Sequence, residues 1–442
     1  NGAVIGDIRG DFVSNRVFSE GDSGAEAQGG AFFNNYNTSV GRIFGSFVNN
    51  GAQTASADGL ALGGAVYTYS NMTFAAGGRL RTISGNYTKD GRRGKSYNAV
   101  FVNNIVDETR PTVAFDTTGG GAWIVNDSIE GGLLYYGSAE IDYGNQYNLA
   151  FKGNGKLNAD GLTDQYVAIN NDIVNAGEVT VEGTTLRFGA YQHEDKTAKN
   201  RDGHGRFLAA LKADGTADLD AEAVTSLSLN NAAFDLYNKY QDMVNLKGWK
   251  ASGDSFLHVD VDVENLTADL LNVNGNVEGQ TKLVVYSSSQ SDIRGKGSVL
   301  FAQSVNDTTG NKDSFSIFRV YGSPYMYEIA YTQTGENQNQ WGLTMGDVEN
   351  PDKDIKPEKP GQPDLPDIPD PDLPDIPDLP TIDGSKVAPE VVAMGALSAA
   401  AIEQTRSVVD NVTGQTIKTE ADHNLWINPT YYTSNIDSPF DV

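Results

Sequence analysis

The chain has 442 residues, is 39% hydrophobic and carries 58 Asp and Glu against 32 Lys and Arg, a formal charge of −26. That is enough apolar sequence for a large core, while the acidity repels phosphate backbones, so nucleic acid is not an expected partner. With no cysteine, a disulfide scaffold, thiolate catalysis and cysteine-type zinc sites are excluded.

The first hundred residues repeat. Ile8-Arg-Gly-Asp-Phe-Val-Ser-Asn15, Ile43-Phe-Gly-Ser-Phe-Val-Asn-Asn50 and Ile83-Ser-Gly-Asn-Tyr-Thr-Lys-Asp90 align without gaps, 35 and then 40 residues apart. The first two lead through a polar stretch to Gly29-Gly30-Ala31-Phe32-Phe33 and Gly63-Gly64-Ala65-Val66-Tyr67. Short alternating runs read as strands, and Gly and Asn between them as tight corners. A unit of this size can bury its apolar face only by stacking on copies of itself. A right-handed parallel β-helix follows, with about two coils per repeat, some 15 to 17 coils and a length near ~75 Å at the strand spacing. An Asn at a fixed place in each repeat predicts a ladder of side-chain amides.

Three short motifs in this region invite functional readings. Gly21-Asp22-Ser23-Gly24 reproduces the surroundings of a chymotrypsin-like nucleophile. Such a serine needs a His and an Asp before it in the chain, yet His193, His204, His258 and His423 all follow it. Ser19 to Glu26 also aligns with the small-residue loop Thr54 to Ala61, so Ser23 is read as part of a turn, and that flank as a place for ligand-binding loops. Arg9-Gly10-Asp11 is an integrin-type tripeptide on a repeat corner also filled by Phe44-Gly45-Ser46 and Ser84-Gly85-Asn86. It is read first as a corner, with integrin contact as the alternative. Arg79, Arg81, Lys89, Arg92, Arg93 and Lys95 form the one basic island. A solvated loop is the first reading, and contact of Arg92 and Arg93 with an anionic glycan or lipopolysaccharide phosphate the second.

The combination of Gly-Gly-Ala with Phe-x-x-Asn (Phe12/Asn15, Phe47/Asn50, Phe101/Asn104) resembles the repeat signature of the chlamydial-type polymorphic membrane proteins, surface passengers of the autotransporter class. From Thr112 the strict repeat fades, but strand and turn texture continues through Asn170–Tyr191 and Leu266–Ser287. Ala232 to Trp249 breaks the pattern and reads as a short amphipathic helix or an irregular excursion. In "HVDVDVENL", Asp260, Asp262 and Glu264 alternate on one strand face opposite Val259, Val261 and Val263. A solvated face is expected there, with a Ca²⁺ site as the alternative.

The far end resembles the C-terminal region of pertactin-like passengers, through Asp269, Leu271, Val273, Gly275, Gly279, Leu283, Tyr325, Tyr327, Trp341 and Leu343. The resemblance implies a stable cap over residues 228–345 that nucleates folding of the β-helix of residues 1–227. Physically, a solenoid needs such a cap because its last coil is an open edge. Residues 346–383 hold most of the prolines, ten of 15 lying between Pro351 and Pro380. This acidic run predicts a polyproline II spacer near ~90 Å long. Residues 384–414, with Pro389 in the first turn and Gly414 past the end, predict an α-helix. In autotransporters such a helix threads the pore of the chain's own outer-membrane β-barrel. Residues 415–442, with Trp426, Tyr431 and Tyr432, fit only the start of that barrel. Asn1 already lies in patterned sequence, so a mature or clipped fragment without a signal peptide is expected.

Together these readings predict an all-β solenoid followed by a linker and one helix, monomeric, displayed at the surface of a Gram-negative bacterium. Its expected role is adhesion to a host or bacterial surface protein or glycan, with no catalytic residue, metal or cofactor. A β-helix lyase or hydrolase acting on polysaccharide is the alternative, and self-association between cells the second.

Overall fold

The computed structural model describes residues 3–345 except 22–23, 136–139, 200–201, 289–296 and 324; the linker, helix and barrel start expected over 346–442 lie outside the described residues. Apart from a few antiparallel hairpins, strands that follow one another in the chain do not pair. Each instead pairs, in parallel, with the strand one circuit later, so the chain winds as a parallel β-helix. A first sheet of nine strands runs from Ile8–Arg9 through Arg42–Phe44, Met72–Ala75, Thr112–Asp116, Tyr147–Lys152, Ala176–Glu182, Ser226–Asn230 and Gly248–Ser252 to Val277–Glu278. A second ladder of ten strands runs from Phe12–Val13 to Phe315–Tyr321. A third of six runs from Phe32–Asn34 to Arg206–Leu208, and Met243–Leu246, Leu270–Asn274 and Val299–Val305 take up that wall beyond it.

One repeat makes one coil. Ile8 faces Ile43 and Phe12 faces Phe47 across adjacent strands. The expected two coils per repeat is therefore corrected. The polar stretches form walls of their own, with Arg16–Ser19, Gly51–Thr54 and Tyr87–Asp90 paired in parallel. Ten strands at the usual spacing span about 43 Å, not ~75 Å. The third repeat also slips by four residues: Ile83 faces Phe47, while Phe74 faces Ile43. Phe101 leaves the Phe12/Phe47 column and stacks on Tyr67 in the third sheet at 5.4 Å.

Inward residues stack in columns along the sheets. Ile43, Phe74, Phe115 and Phe151 form one column, and Phe47, Ile83, Val125, Ile169 and Phe188 another. All are buried. The Gly-Gly-Ala corner is a steric requirement. Gly29 and Gly63 sit at φ +65° and +61°, and a Cβ on Gly30 would lie 2.1 Å from the carbonyl oxygen of Gly64 in the next coil.

The amide ladder forms, with its third rung at Asn86 rather than Asp90. Asn15 donates through Nδ2 to Asn50 Oδ1 (2.9 Å), and Asn50 Nδ2 donates to Asn86 Oδ1 (2.8 Å). Asn86 Nδ2 then donates to Asp127 Oδ2 (2.7 Å), which also accepts the Asn86 amide at 2.8 Å. Burial pushes the Asp127 carboxyl up to about 7, so the ladder ends on a charge it only partly stabilises.

The sequence boundary at 227/228 falls inside Ser226–Asn230, whose neighbours on both sides belong to the same sheet. The stretch 232–249 is not a helix: Phe234, Leu236, Val244 and Leu246 all enter the core, and strands Ala233–Asp235 and Met243–Leu246 flank an irregular excursion. At the far end the parallel ladder stops. Gln338–Thr344 pairs antiparallel with Val299–Val305, and Glu328–Gly335 folds back on it as a hairpin. Trp341 is fully buried and donates through Nε1 to the Asn311 carbonyl at 2.8 Å. Among the described residues, no helix is long and apolar enough to cross a membrane.

Replacing Asn50 by Ala removes four side-chain hydrogen bonds, to Asn15 (backbone and side chain), Phe12 O and Asn86. Urea unfolding should show a loss of about 2–4 kcal/mol; a loss below ~0.5 kcal/mol would make the ladder a bystander.

Candidate binding cleft

The second sheet builds the site. Leu257, Val259 and Val261 face the core, so alternation turns His258, Asp260 and Asp262 outward. Asp260 lies opposite Tyr286, and Tyr286 opposite Tyr321, on successive strands. The predicted face of three carboxylates is corrected, because the strand ends at Asp262 and Glu264 lies in the following turn. Asp262 Oδ1 caps that turn, accepting the amides of Glu264 and Asn265 at 3.0 and 3.2 Å. Among the described residues no group of three or more His, Asp and Glu could hold a metal ion.

The excursion after Ala233–Asp235 crosses this face and forms the opposing wall. Asp260 Oδ2 accepts the amides of Asn238 (2.9 Å) and Lys239 (2.7 Å), the latter at φ +69°. Asp269, fully buried, accepts the amides of Asp242 (2.8 Å) and Asp260 (2.6 Å) on its two oxygens. Its carboxyl is pushed up to about 8, first by burial and further by the carboxylates of Asp260 and Asp242. Burial also raises Asp260 and Asp242.

Between these walls lies a cleft of about 410 Å³, within the usual range of small-molecule sites. Tyr237 from the excursion stacks on Tyr286 (4.0 Å, 17°), and Tyr286 on Tyr321 (5.2 Å, 17°). Tyr240 is 52% exposed and stands edge-on to His204 at 4.7 Å. The segment 153–165 covers the rest of the face. Leu157 and Leu162 pack on Ala233, Phe256 and Val284, and Asp160 pairs with Arg319 at 2.6 Å and with the Tyr321 hydroxyl. Beneath this cover, burial lowers the His258 imidazole to about 4.

The residues singled out from sequence do not meet at this cleft. Arg9 is exposed, its side chain 70% accessible, with its guanidinium over the Phe44 ring. Gly10 turns the corner at φ +138°. Asp11 is engaged, Oδ1 accepting the Ser46 amide (2.8 Å) and lying 3.5 Å from Arg81. Ser23 lies outside the described residues, but the flanks of its loop pair as expected at the start, Ser19 with Thr54. They are one residue out at the end, where Glu26 faces Leu60.

The basic island breaks up. Arg92 is half-buried beside Asp90, which accepts its amide at 3.0 Å. Arg93 is buried and grips Glu130 with both terminal nitrogens (2.8 and 3.1 Å), while Tyr143 donates to the same carboxylate. Arg93 is therefore a structural residue, unfit for an external anionic ligand. Nothing around Glu130 in the sequence announced this pair. The cleft did leave a trace, since Tyr237 and Tyr240 sit in the one stretch that broke the pattern. Their meeting with Tyr286 and Tyr321 depends on register between distant strands.

Comparison with protein-family models, with curated proteins and with solved structures finds no match for this chain.

Two outcomes follow. Arg93→Ala leaves the Glu130 carboxylate buried without its cation and should cost about 3–5 kcal/mol, whereas Arg92→Ala should stay within ~0.5 kcal/mol; equal urea midpoints for the two would refute the assignment. Folding lowers the His258 pKa, so between pH 6.5 and 4 the unfolded chain binds the extra proton and stability falls as pH drops through that window. In His258→Phe this contribution, about 2–3 kcal/mol, is gone, and its melting temperature should fall less between pH 7 and pH 4. Parallel melting curves for both proteins would show that His258 does not titrate there.

Proposed function

We propose that this chain is the passenger of an autotransporter, displayed at the surface of a Gram-negative bacterium and acting as an adhesin. The observation that carries the reading is the C-terminal end of the β-helix, one wall of which is covered by an antiparallel hairpin. The parallel ladder terminates in an antiparallel hairpin over buried Trp341, formed from the residues that resemble the end of pertactin-like passengers. A capped parallel solenoid is stiff along its axis and offers loops on its flanks, which suits presentation of a binding site away from a membrane. The acidic proline-rich run that follows in sequence fits a spacer.

Binding is favoured over hydrolysis by the pairing of two buried carboxylates that share one cavity. Glu130 and Asp172 line one polar cavity, but each is clamped by an arginine through two hydrogen bonds, Glu130 by Arg93 and Asp172 by Arg206. A carboxylate whose two oxygens are both taken up by a guanidinium has neither oxygen directed at a substrate, so neither is placed to serve as the general acid of a glycosidase pair.

The test is saturable binding of the purified fluorescent chain to epithelial cells and, separately, to bacterial cells. Binding to one surface is expected, with Arg9→Ala indistinguishable from the parent because Asp11 is tied to Ser46 and Arg81. Absence of saturable binding to either surface overturns the adhesin reading.

A further inference from the structure

We propose that the cleft between the 236–242 excursion and the second sheet binds a neutral hexopyranose unit of a cell-surface glycan. In this arrangement Tyr240 lies under the C–H face of the sugar, and Asp260 accepts one of its hydroxyl protons through Oδ1. The inference rests on the adhesin reading for its setting, but it stands on the geometry of the cleft.

A pyranose ring has an apolar C–H face and a rim of hydroxyl donors. A site for it needs one open aromatic face and several fixed acceptors close by. Tyr240 supplies the face. Half its surface is open, and its packing against His204 fixes the plane of the ring. Both amides that Asp260 accepts fall on Oδ2, which leaves Oδ1 for an incoming donor. Asp262 lines the same cleft two residues on, but its Oδ1 holds the Glu264 and Asn265 amides and its Oδ2 the Asn265 side chain at 2.8 Å, so it contributes negative charge and Asp260 the open acceptor. A hydrogen bond from a neutral hydroxyl to a carboxylate is charge-assisted and among the stronger kinds.

The same details argue against other ligand classes. A cation cage needs several ring faces converging on one point. Here Tyr237, Tyr286 and Tyr321 are stacked in a row with interplanar angles of 17°, so both faces of Tyr286 are covered. A sialylated, uronic or sulfated sugar would bring its charge against Asp260 and Asp262, with Lys239 the only cation lining the cleft among the described residues. The walls are pre-formed: the excursion is tied through Asp260 and Asp269 before any ligand arrives, which limits the ordering cost of binding. One such contact gives a Kd of order 1 mM, and many copies on a cell surface raise the avidity.

The experiment presents the 442-residue chain to immobilised neutral oligosaccharides, to sialylated and sulfated ones, and to choline as a cation control. Neutral glycans should bind. Tyr240→Ala and Asp260→Asn should each weaken that binding at least tenfold. Tyr240→Phe, which keeps the ring, should restore most of the binding that Tyr240→Ala loses, and Tyr36→Ala, in the separate groove lined by Phe33, Tyr69 and Tyr135, should leave binding unchanged. Asn retains the acceptor oxygen that the Asn238 and Lys239 amides need, and circular dichroism of each variant confirms the fold. The proposal is overturned by binding only to anionic glycans or choline, by no glycan binding at all, or by full binding in a folded Tyr240→Ala chain. Failure of the two readings is distinguishable. Cell binding that survives Tyr240→Ala removes the cleft and keeps the adhesin, while neutral-glycan binding without cell binding does the reverse.

Discussion

Main-chain hydrogen bonds between successive coils hold this chain together, and they run along the axis of the ladder from one circuit to the next. Each coil therefore depends on its neighbour for nearly all its backbone partners, and an uncovered last coil would present a row of unpaired amides and carbonyls. The antiparallel hairpin at Glu328–Gly335 and Gln338–Thr344 takes the place of the next coil and covers one wall of that end. The register of the ladder then fixes everything else, because a strand shifted by one residue would turn its core side chains to solvent.

Register also lets an acidic chain keep polar groups inside. Asn15, Asn50 and Asn86 fall one above another, so each amide finds its partner in the next copy of itself, and the series closes on Asp127. Arg93 and Glu130 are brought together across 37 residues, and Arg206 and Asp172 across 34. These pairs consume charges that sequence alone presents as available for ligands. Removing one partner is far costlier than the pair is stabilising, since the remaining charge stays buried.

The cleft arises where the circuit is lengthened between two strands of the core. Leu236 and Val244 anchor the two ends of the excursion in the interior, which frees the residues between them to cross the outer face. There the inserted chain finds Asp260 and Asp269, whose carboxylates take its amides. Stiffness and a binding surface thus come from the same coil: the ladder sets the distance between Tyr286 and Tyr321, and the excursion adds Tyr237 and Tyr240.

The class of fold is legible in the residue pattern alone. Short alternating strands, corner glycines and a repeated Ile-x-Gly-x-aromatic unit leave stacking as the only way to bury the apolar face, and the fixed Asn implies the amide ladder. That pattern did not determine how much chain one coil consumes. Inward positions in all the walls accept the same aliphatic and aromatic residues, so Ile83 aligns with Ile43 by pattern although it packs on Phe47. It also left the excursion ambiguous, because Tyr237, Tyr240 and Val244 fall on helix spacing while Phe234/Leu236 and Val244/Leu246 fall on strand spacing. That Arg93 is buried, that Glu264 leaves the strand and that four tyrosines share one cleft emerges once the coils are stacked. Each of those depends on which strands become neighbours one circuit apart, and that information lies in three-dimensional register rather than in local composition.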